Sequence, residues 1–164
     1  MFGFMKKKKS NNESLNLVAV ANGKVLPLSD VPDPIFAEKM AGDGVAIEVE
    51  SNLIVAPASG EISMIFRTNH GFALALENGV ELLVHIGVET VSLNGEGFKR
   101  LVEIGDKVEV GTPIIEIDRE LIKEKGCSLI TPVIITNVDI LTDIKVNENI
   151  NADAGETVIV EYSL

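Results

Sequence analysis

Glycine-bearing turns recur along almost the whole chain: Ala21-Asn22-Gly23, Gly42-Asp43-Gly44, Ala58-Ser59-Gly60, Asn78-Gly79, Asn94-Gly95-Glu96-Gly97, Gly105-Asp106 and Gly111-Thr112-Pro113. The stretches between them are short and rich in Val and Ile. That spacing leaves little room for helices and indicates an all-β sandwich or barrel. The best helical segment is Arg119 to Lys125, with Asp118 as N-cap and Gly126 closing it after one or two turns. Pro32-Asp33-Pro34-Ile35-Phe36 reads as a fixed loop, because each proline presets its own φ and restricts the residue before it. Gly42-Asp43-Gly44 reads as a tight strand connection.

An internal echo points to a duplicated architecture. Leu17 to Val25 matches Ile54 to Ile62, with identities at Val18/Val55, Ala19/Ala56, Ala21/Ala58 and Gly23/Gly60. No linker divides the chain beyond residue 16. The sequence therefore reads as a tail, residues 1–16, and one domain, residues 17–164. A length of 164 residues suits one domain with a real core, and 46% hydrophobic residues exclude global disorder. The apolar runs are too short to span a membrane, and no leader of signal-peptide character precedes them, which implies a cytoplasmic protein. The single cysteine, Cys127, cannot form an intrachain disulfide, in keeping with a reducing compartment. A net charge of −11 argues against nucleic-acid binding and favours neutral or basic partners.

The chemistry of the chain centres on its two histidines, His70 and His85, which flank Asn78-Gly79. Asn-Gly favours a two-residue type I′ hairpin turn, which places Glu77 opposite Val80, Phe72 opposite His85 and His70 opposite Gly87. The imidazoles are then diagonal neighbours on one face, roughly 7–8 Å apart at the backbone. Thr68 falls opposite Glu89 on the same face, and Gly87 leaves open space beside His70. A slip of one residue would put the histidines on opposite faces. A neutral imidazole is nucleophilic and its ordinary pKa lies near 6.5, so the pair suits phosphoryl transfer: one ring as acceptor, the other as donor to the phosphoryl oxygens, Thr68 orienting a ring. The competing reading is zinc bound by His70 and His85, for which three or four ligands are needed and only Glu89 or a partner's carboxylate is at hand. No Gly-x-Ser-x-Gly turn and no phosphate-cradling Gly-x-x-x-x-Gly-Lys loop is present.

Residues 17–162 resemble the glucose-type enzyme IIA domain of the bacterial phosphoenolpyruvate-dependent sugar phosphotransferase system. The likeness is carried by Val31 to Lys39, Gly42-Asp43-Gly44, Thr68-Asn69-His70, Gly79 to Val91, Gly95 to Arg100 and Ile130 to Val133, most specifically by Val84-His85-Ile86-Gly87-Val88-Glu89-Thr90-Val91. The resemblance implies an internally duplicated β-sandwich (the duplicated hybrid motif) with a shallow active-site depression. It implies that His85 is phosphorylated on Nε2 by the phosphocarrier HPr and passes the group to a cysteine of the sugar-specific IIB domain. His70 would donate a hydrogen bond to the phosphoryl group, and Thr68 would hold the histidine network. Phe36, Phe66, Phe72 and Val91 would supply the docking surface, with Asp33 and Glu89 as acidic contacts. Some members bind regulatory proteins, sometimes with zinc shared between the two histidines and a partner's carboxylate, and no motif here assigns that to this chain. No cofactor is otherwise implied.

Two other classes compete. A biotinyl or lipoyl carrier module needs a lysine at a hairpin tip, where this hairpin has Asn78-Gly79. A zinc-linked module or peptidase of similar fold lacks ligands. Phe2, Phe4 and Met5 beside Lys6 to Lys9 read as a solvated tail or as a weak membrane-surface contact through residues 1–9.

Overall fold

The computed structural model describes residues 15–164; the expected tail and its membrane contact lie outside them but for the last two tail positions. Fourteen strands follow in order: β1 (Asn16–Val18), β2 (Gly23–Leu26), β3 (Asp43–Val49), β4 (Leu53–Val55), β5 (Gly60–Ile65), β6 (Gly71–Ala75), β7 (Glu81–His85), β8 (Phe98–Arg100), β9 (Lys107–Val108), β10 (Pro113–Ile117), β11 (Ile130–Ile135), β12 (Asp143–Val146), β13 (Asn151–Ala152) and β14 (Val158–Ser163). Two short helices accompany them, α1 (Pro34–Ala37) and α2 (Arg119–Glu124). The all-β expectation is met. Asn16 pairs with Glu161, so the folded body starts before residue 17.

One sheet of eight strands runs β13-β2-β3-β11-β7-β6-β5-β9, and two sheets of three run β1-β14-β12 and β4-β10-β8. These arrangements are two copies of one pattern. The copy made of β4 to β10 is contiguous in the chain and nested within the other, made of β1 to β3 and β11 to β14. The echoed segments prove the relation through their hydrogen bonds. Val18 N–H donates to Pro57 O (2.9 Å) while Val55 N–H donates to Val20 O (2.7 Å), a reciprocal pair. Ala19 N–H donates to Thr157 O as Ala56 N–H does to Thr112 O, and Val25 N–H to Ile150 O as Ile62 N–H does to Asp106 O. The copies meet again where β7 pairs β11, Val84 opposite Val133.

The strands and their ends bury side chains in a single core, in which Leu17, Ile47, Ile54, Ile62, Phe72, Leu74, Leu82, Ile86, Ile114 and Ile115 are essentially inaccessible. A smaller cluster of Leu28, Val31, Phe36, Ala46, Val88 and Ile134 lies elsewhere. There α1 and the preceding 3-10 turn, Leu28–Asp30, pack on β3 and β11. The helix at 119–125 forms nearly as expected, with the Asp118 carboxylate accepting from Leu121 N–H. The proline-rich loop is more ordered than expected. Asp33 caps α1 by accepting from Ile35 N–H, and Pro34 takes the first helical position, where its missing N–H costs nothing. Gly42-Asp43-Gly44 is not a bare connection, since β3 begins at Asp43.

The hairpin register differs from expectation by one residue. Glu77-Asn78-Gly79 is a three-residue loop: Gly79 N–H donates to Leu76 O, Leu76 N–H donates to Val80 O, and only Gly79 takes positive φ, +95°. Asn78 is held otherwise, its Oδ1 accepting from Val80 N–H and its Nδ2 donating to Tyr162 Oη. Leu76 therefore faces Val80, Phe72 faces Val84 and Gly71 faces His85. Phe72 turns into the core with 0% exposure, so its expected place on a docking surface is wrong. Phe72→Ala should cost about 3–5 kcal/mol in denaturant unfolding, as large-to-small aromatic substitutions in cores do. Phe72→Lys should fail to fold rather than lose partner binding selectively, which circular dichroism will show.

Candidate functional site

His85 ends β7 on the outer face of the large sheet, and Gly71 stands opposite it. The absent side chain of Gly71 matters, because a Cβ there would lie 2.6 Å from the Phe66 ring. Phe66 uses that space to stack on His70, centroids 4.7 Å apart at 27°. His70 itself precedes β6, in a turn where Asn69 has φ +62° and Asn69 N–H donates to Phe66 O (2.7 Å). The Arg100 guanidinium, from β8, donates through Nε to Asn69 Oδ1 and ties that turn down.

The observed register would send histidines within the ladder to opposite faces, yet these rings meet, with centroids 5.2 Å apart in an edge arrangement of 78°. Beyond the last paired residue the side chain is released from strict alternation. The backbone still pairs, Ile86 N–H donating to His70 O (2.7 Å), while the ring turns toward His85. The expected proximity holds, for a different reason from the expected diagonal. Gly87 also has another function than leaving space: its φ is +74°, and a Cβ would collide with Ser128 O at 2.5 Å.

That backbone shape sends the Gly87 carbonyl back to His85 Nδ1, 2.8 Å away. A carbonyl has no proton to give, so Nδ1 carries the hydrogen and the lone pair of the neutral ring resides on Nε2. Thr68 Oγ1 lies 2.7 Å from His70 Nδ1, engaging the corresponding nitrogen of the second ring. Phe36 on α1 comes within 5.3 Å of the His85 ring and Phe66 within 6.1 Å, so two phenylalanine rings wall the imidazole pair. Burial pushes the His85 pKa below its ordinary 6.5, opposed by the Gly87 carbonyl and by the charge of Asp33. Burial and then the neighbouring His85 bring His70 down to about 4. His70 is neutral at pH 7, with His85 biased the same way.

The remaining candidates divide. Asp33 caps α1 beside the site, Val91 is 55% exposed on the 3-10 turn Thr90–Leu93, and Glu89 is exposed at φ +65° just before it. Ile35 and Met40, exposed by 50% and 69% on and just after α1, were not singled out from the sequence. The helix-start signal Asp33-Pro34 was the clue that their segment is ordered. Thr131 was also missed; it is fully buried and accepts from Gly87 N–H at 3.1 Å. No group of three or more His, Cys, Asp or Glu capable of holding a metal exists among the described residues. With Nδ1 of both histidines engaged, the pair offers two free ring nitrogens, short of a zinc site's three or four ligands.

A family model described as phosphoenolpyruvate-dependent sugar phosphotransferase system, EIIA 1, matches residues 15–141. The chain belongs to this family. Similar proteins include the PTS system glucose-specific EIIA component of Halalkalibacterium halodurans, 44% identical over 98% of this chain and 94% of that one. The component of the same name from Buchnera aphidicola is 44% identical over 92% of each chain. Glucose permease IIA from Mycoplasma capricolum has a similar solved structure, with a TM-score of 0.85, 33% identity and coverage of 97% of this chain and 99% of that one. As an EIIA component the chain is a phosphocarrier of the sugar phosphotransferase system. No helix among the described residues is long and apolar enough to cross a membrane.

The low His70 pKa has a sign that calorimetry can read. An unfolded chain protonates this ring near pH 6.5, while the folded one resists to about 4. Stability from this group is intact above pH 6.5 and is lost as pH falls from there toward 4. His70→Gln should therefore flatten the decline of Tm between pH 6.5 and 4.5 relative to the wild type, whatever its Tm at pH 7.

Proposed function

We propose that this EIIA component takes its phosphoryl group on His85 Nε2 from phospho-HPr and hands it to a cysteine of a sugar-specific IIB domain, in the cytoplasm. The observation that carries this reading is the Gly87 carbonyl at His85 Nδ1, which leaves Nε2 as the nucleophile. The Nε2 lone pair attacks phosphorus, an N–P bond forms, and the bond to the donor breaks with its electrons returning to the donor. With Nδ1 still protonated the phosphorylated ring bears positive charge, and the same carbonyl stabilises that charge while Asp33 acts in the same direction. In the second step a cysteine thiolate forms a P–S bond as the N–P bond breaks, and the ring returns to neutral.

We assign the Thr68 hydroxyl as the donor to His70 Nδ1, 2.7 Å away, so that His70 presents Nε2–H to the phosphoryl oxygens. Phosphoryl transfer asks the protein mainly for position and charge stabilisation, which these two rings and one carbonyl supply. Incubation with phosphoenolpyruvate, enzyme I and HPr should add one acid-labile phosphoryl group, seen by mass spectrometry. His85→Ala should abolish that addition, while His70→Gln should still accept it and transfer it to IIB at least tenfold more slowly. Acceptance by His85→Ala at the wild-type rate would overturn the assignment.

Docking belongs to the rim of exposed side chains on the two segments flanking His85, namely Ile35 and Met40 at α1 and Val91 on the 90–93 turn. Phe36 and Phe66 act from below as a rigid floor, and Asp33 and Glu89 add negative charge that suits a basic carrier. Charge complementarity of this kind acts mostly on encounter. Val91→Asp should raise the Kd for HPr roughly tenfold without changing Tm by more than about 2 °C, a surface substitution's usual effect. The wild-type association rate should fall as salt is raised.

A further inference from the structure

The described residues contain three buried polar side chains, His70, Thr90 and Thr131, and all three converge on the loop that follows His85. Thr90 Oγ1 donates to Ile86 O at 2.6 Å. Thr131 Oγ1 accepts from Gly87 N–H at 3.1 Å and donates its own proton to Leu129 O at 3.1 Å. The Ile86 carbonyl and the Gly87 N–H belong to one peptide unit, so the two hydroxyls grip that peptide at both ends. The next peptide, Gly87–Val88, is held by Val88 N–H donating to Ser128 O at 3.1 Å. Its carbonyl is the one that receives His85 Nδ1–H.

We infer that Thr131 and Thr90 are positioning residues for phosphoryl transfer: by locking the Ile86–Gly87 peptide they aim the Gly87 carbonyl and hold His85 in the Nδ1–H tautomer. The inference rests on the assignment of His85 Nε2 as acceptor. A glycine at φ +74° has conformational freedom on both sides, so without the clamp its carbonyl can rotate away from the ring. A ring freed of that carbonyl populates the Nε2–H tautomer, which has no lone pair at the reacting nitrogen. A buried threonine hydroxyl is unusual enough in this core to ask for a purpose, since an alanine or valine would bury more readily. Neither threonine was read from the sequence as part of the site, because Thr131 lies 44 residues from Gly87 and joins it only through sheet pairing.

The test uses the full chain and the near-isosteric variants Thr131→Val and Thr90→Val, with Thr131→Ser as the conservative control. Nitrogen-15 NMR of the imidazoles at pH 7.5 should show His85 as a single Nδ1–H tautomer in the wild type and a mixture in the valine variants. The rate of phosphoryl acceptance from phospho-HPr should fall at least tenfold in Thr131→Val, with Kd for HPr unchanged, and Thr131→Ser should restore both the tautomer and the rate. Should Thr131→Val not fold, Thr90→Val and Thr131→Ser decide: a mixed tautomer in the first and a pure one in the second support the clamp. A pure Nδ1–H tautomer in a folded valine variant would overturn the inference even if the rate fell, and so would equal loss in Thr131→Val and Thr131→Ser. The tautomer is read without phosphorylation, so it stands or falls separately from His85's assignment as acceptor.

Discussion

Everything in this fold hangs on the pairing of β7 with β11. Around Val84 opposite Val133 the two copies of the repeated pattern are stitched into one continuous sheet of eight strands. The strand that ends in His85 is thus central, with neighbours on both sides and its main chain fixed by two ladders. A central strand is the most rigid place a sheet offers for a reacting group, and its end is where side chains regain freedom to turn outward. The site uses both properties: β7 is paired on both sides, and the following Gly87 curls back to bond the ring.

The two copies differ both at the position of His85 and in what they place above the sheet. Strand pairing makes Gly44 and Ile134 the counterparts of Gly71 and His85. In the outer copy the connection from β2 to β3 is long, and its α1 lays Phe36 over Ile134 in a small apolar cluster. In the nested copy the corresponding connection, residues 66–70, is short and holds Phe66, Thr68 and His70. The same loop that seals the outer position also reaches across to His85 with the Phe36 ring and the Asp33 charge. Duplication gave two equivalent pedestals, which differ both in the residue they carry, His85 against Ile134, and in the loop above it.

Turn chemistry made the β architecture, the echo and the short helix at 119 legible, because these rest on local patterns of glycine, aspartate and branched residues. The hairpin register was not legible. Asn78-Gly79 favours a two-residue turn in isolation, but the Asn78 side chain is engaged by Val80 N–H and by Tyr162, a residue brought near only by the tertiary fold. That single displacement moved Phe72 from the expected site face into the core and exchanged Gly71 for Phe72 opposite His85. The two histidines were still brought together, since a residue outside the ladder escapes the alternation on which the expectation was built. Buried Thr131 had no local signature at all, because a threonine in a Val/Ile-rich strand reads as one more β-branched residue.

The nesting of one copy within the other bears on how the protein comes into being. Both imidazoles, Thr68 and Thr90 lie in the contiguous copy or its loops, complete by Ile117, and Leu53 at its start pairs with Glu116 near its end. Thr131 and Ser128, which secure the loop after His85, emerge later in synthesis. A nascent chain that has passed residue 117 thus holds both imidazoles and Thr90 but not yet Thr131 and Ser128, which reach the loop after His85 only when β11 slots in between β3 and β7. The surroundings of His85 are in this way completed by the last part of the chain, so that the finished geometry of the loop after it reports closure of the whole sheet.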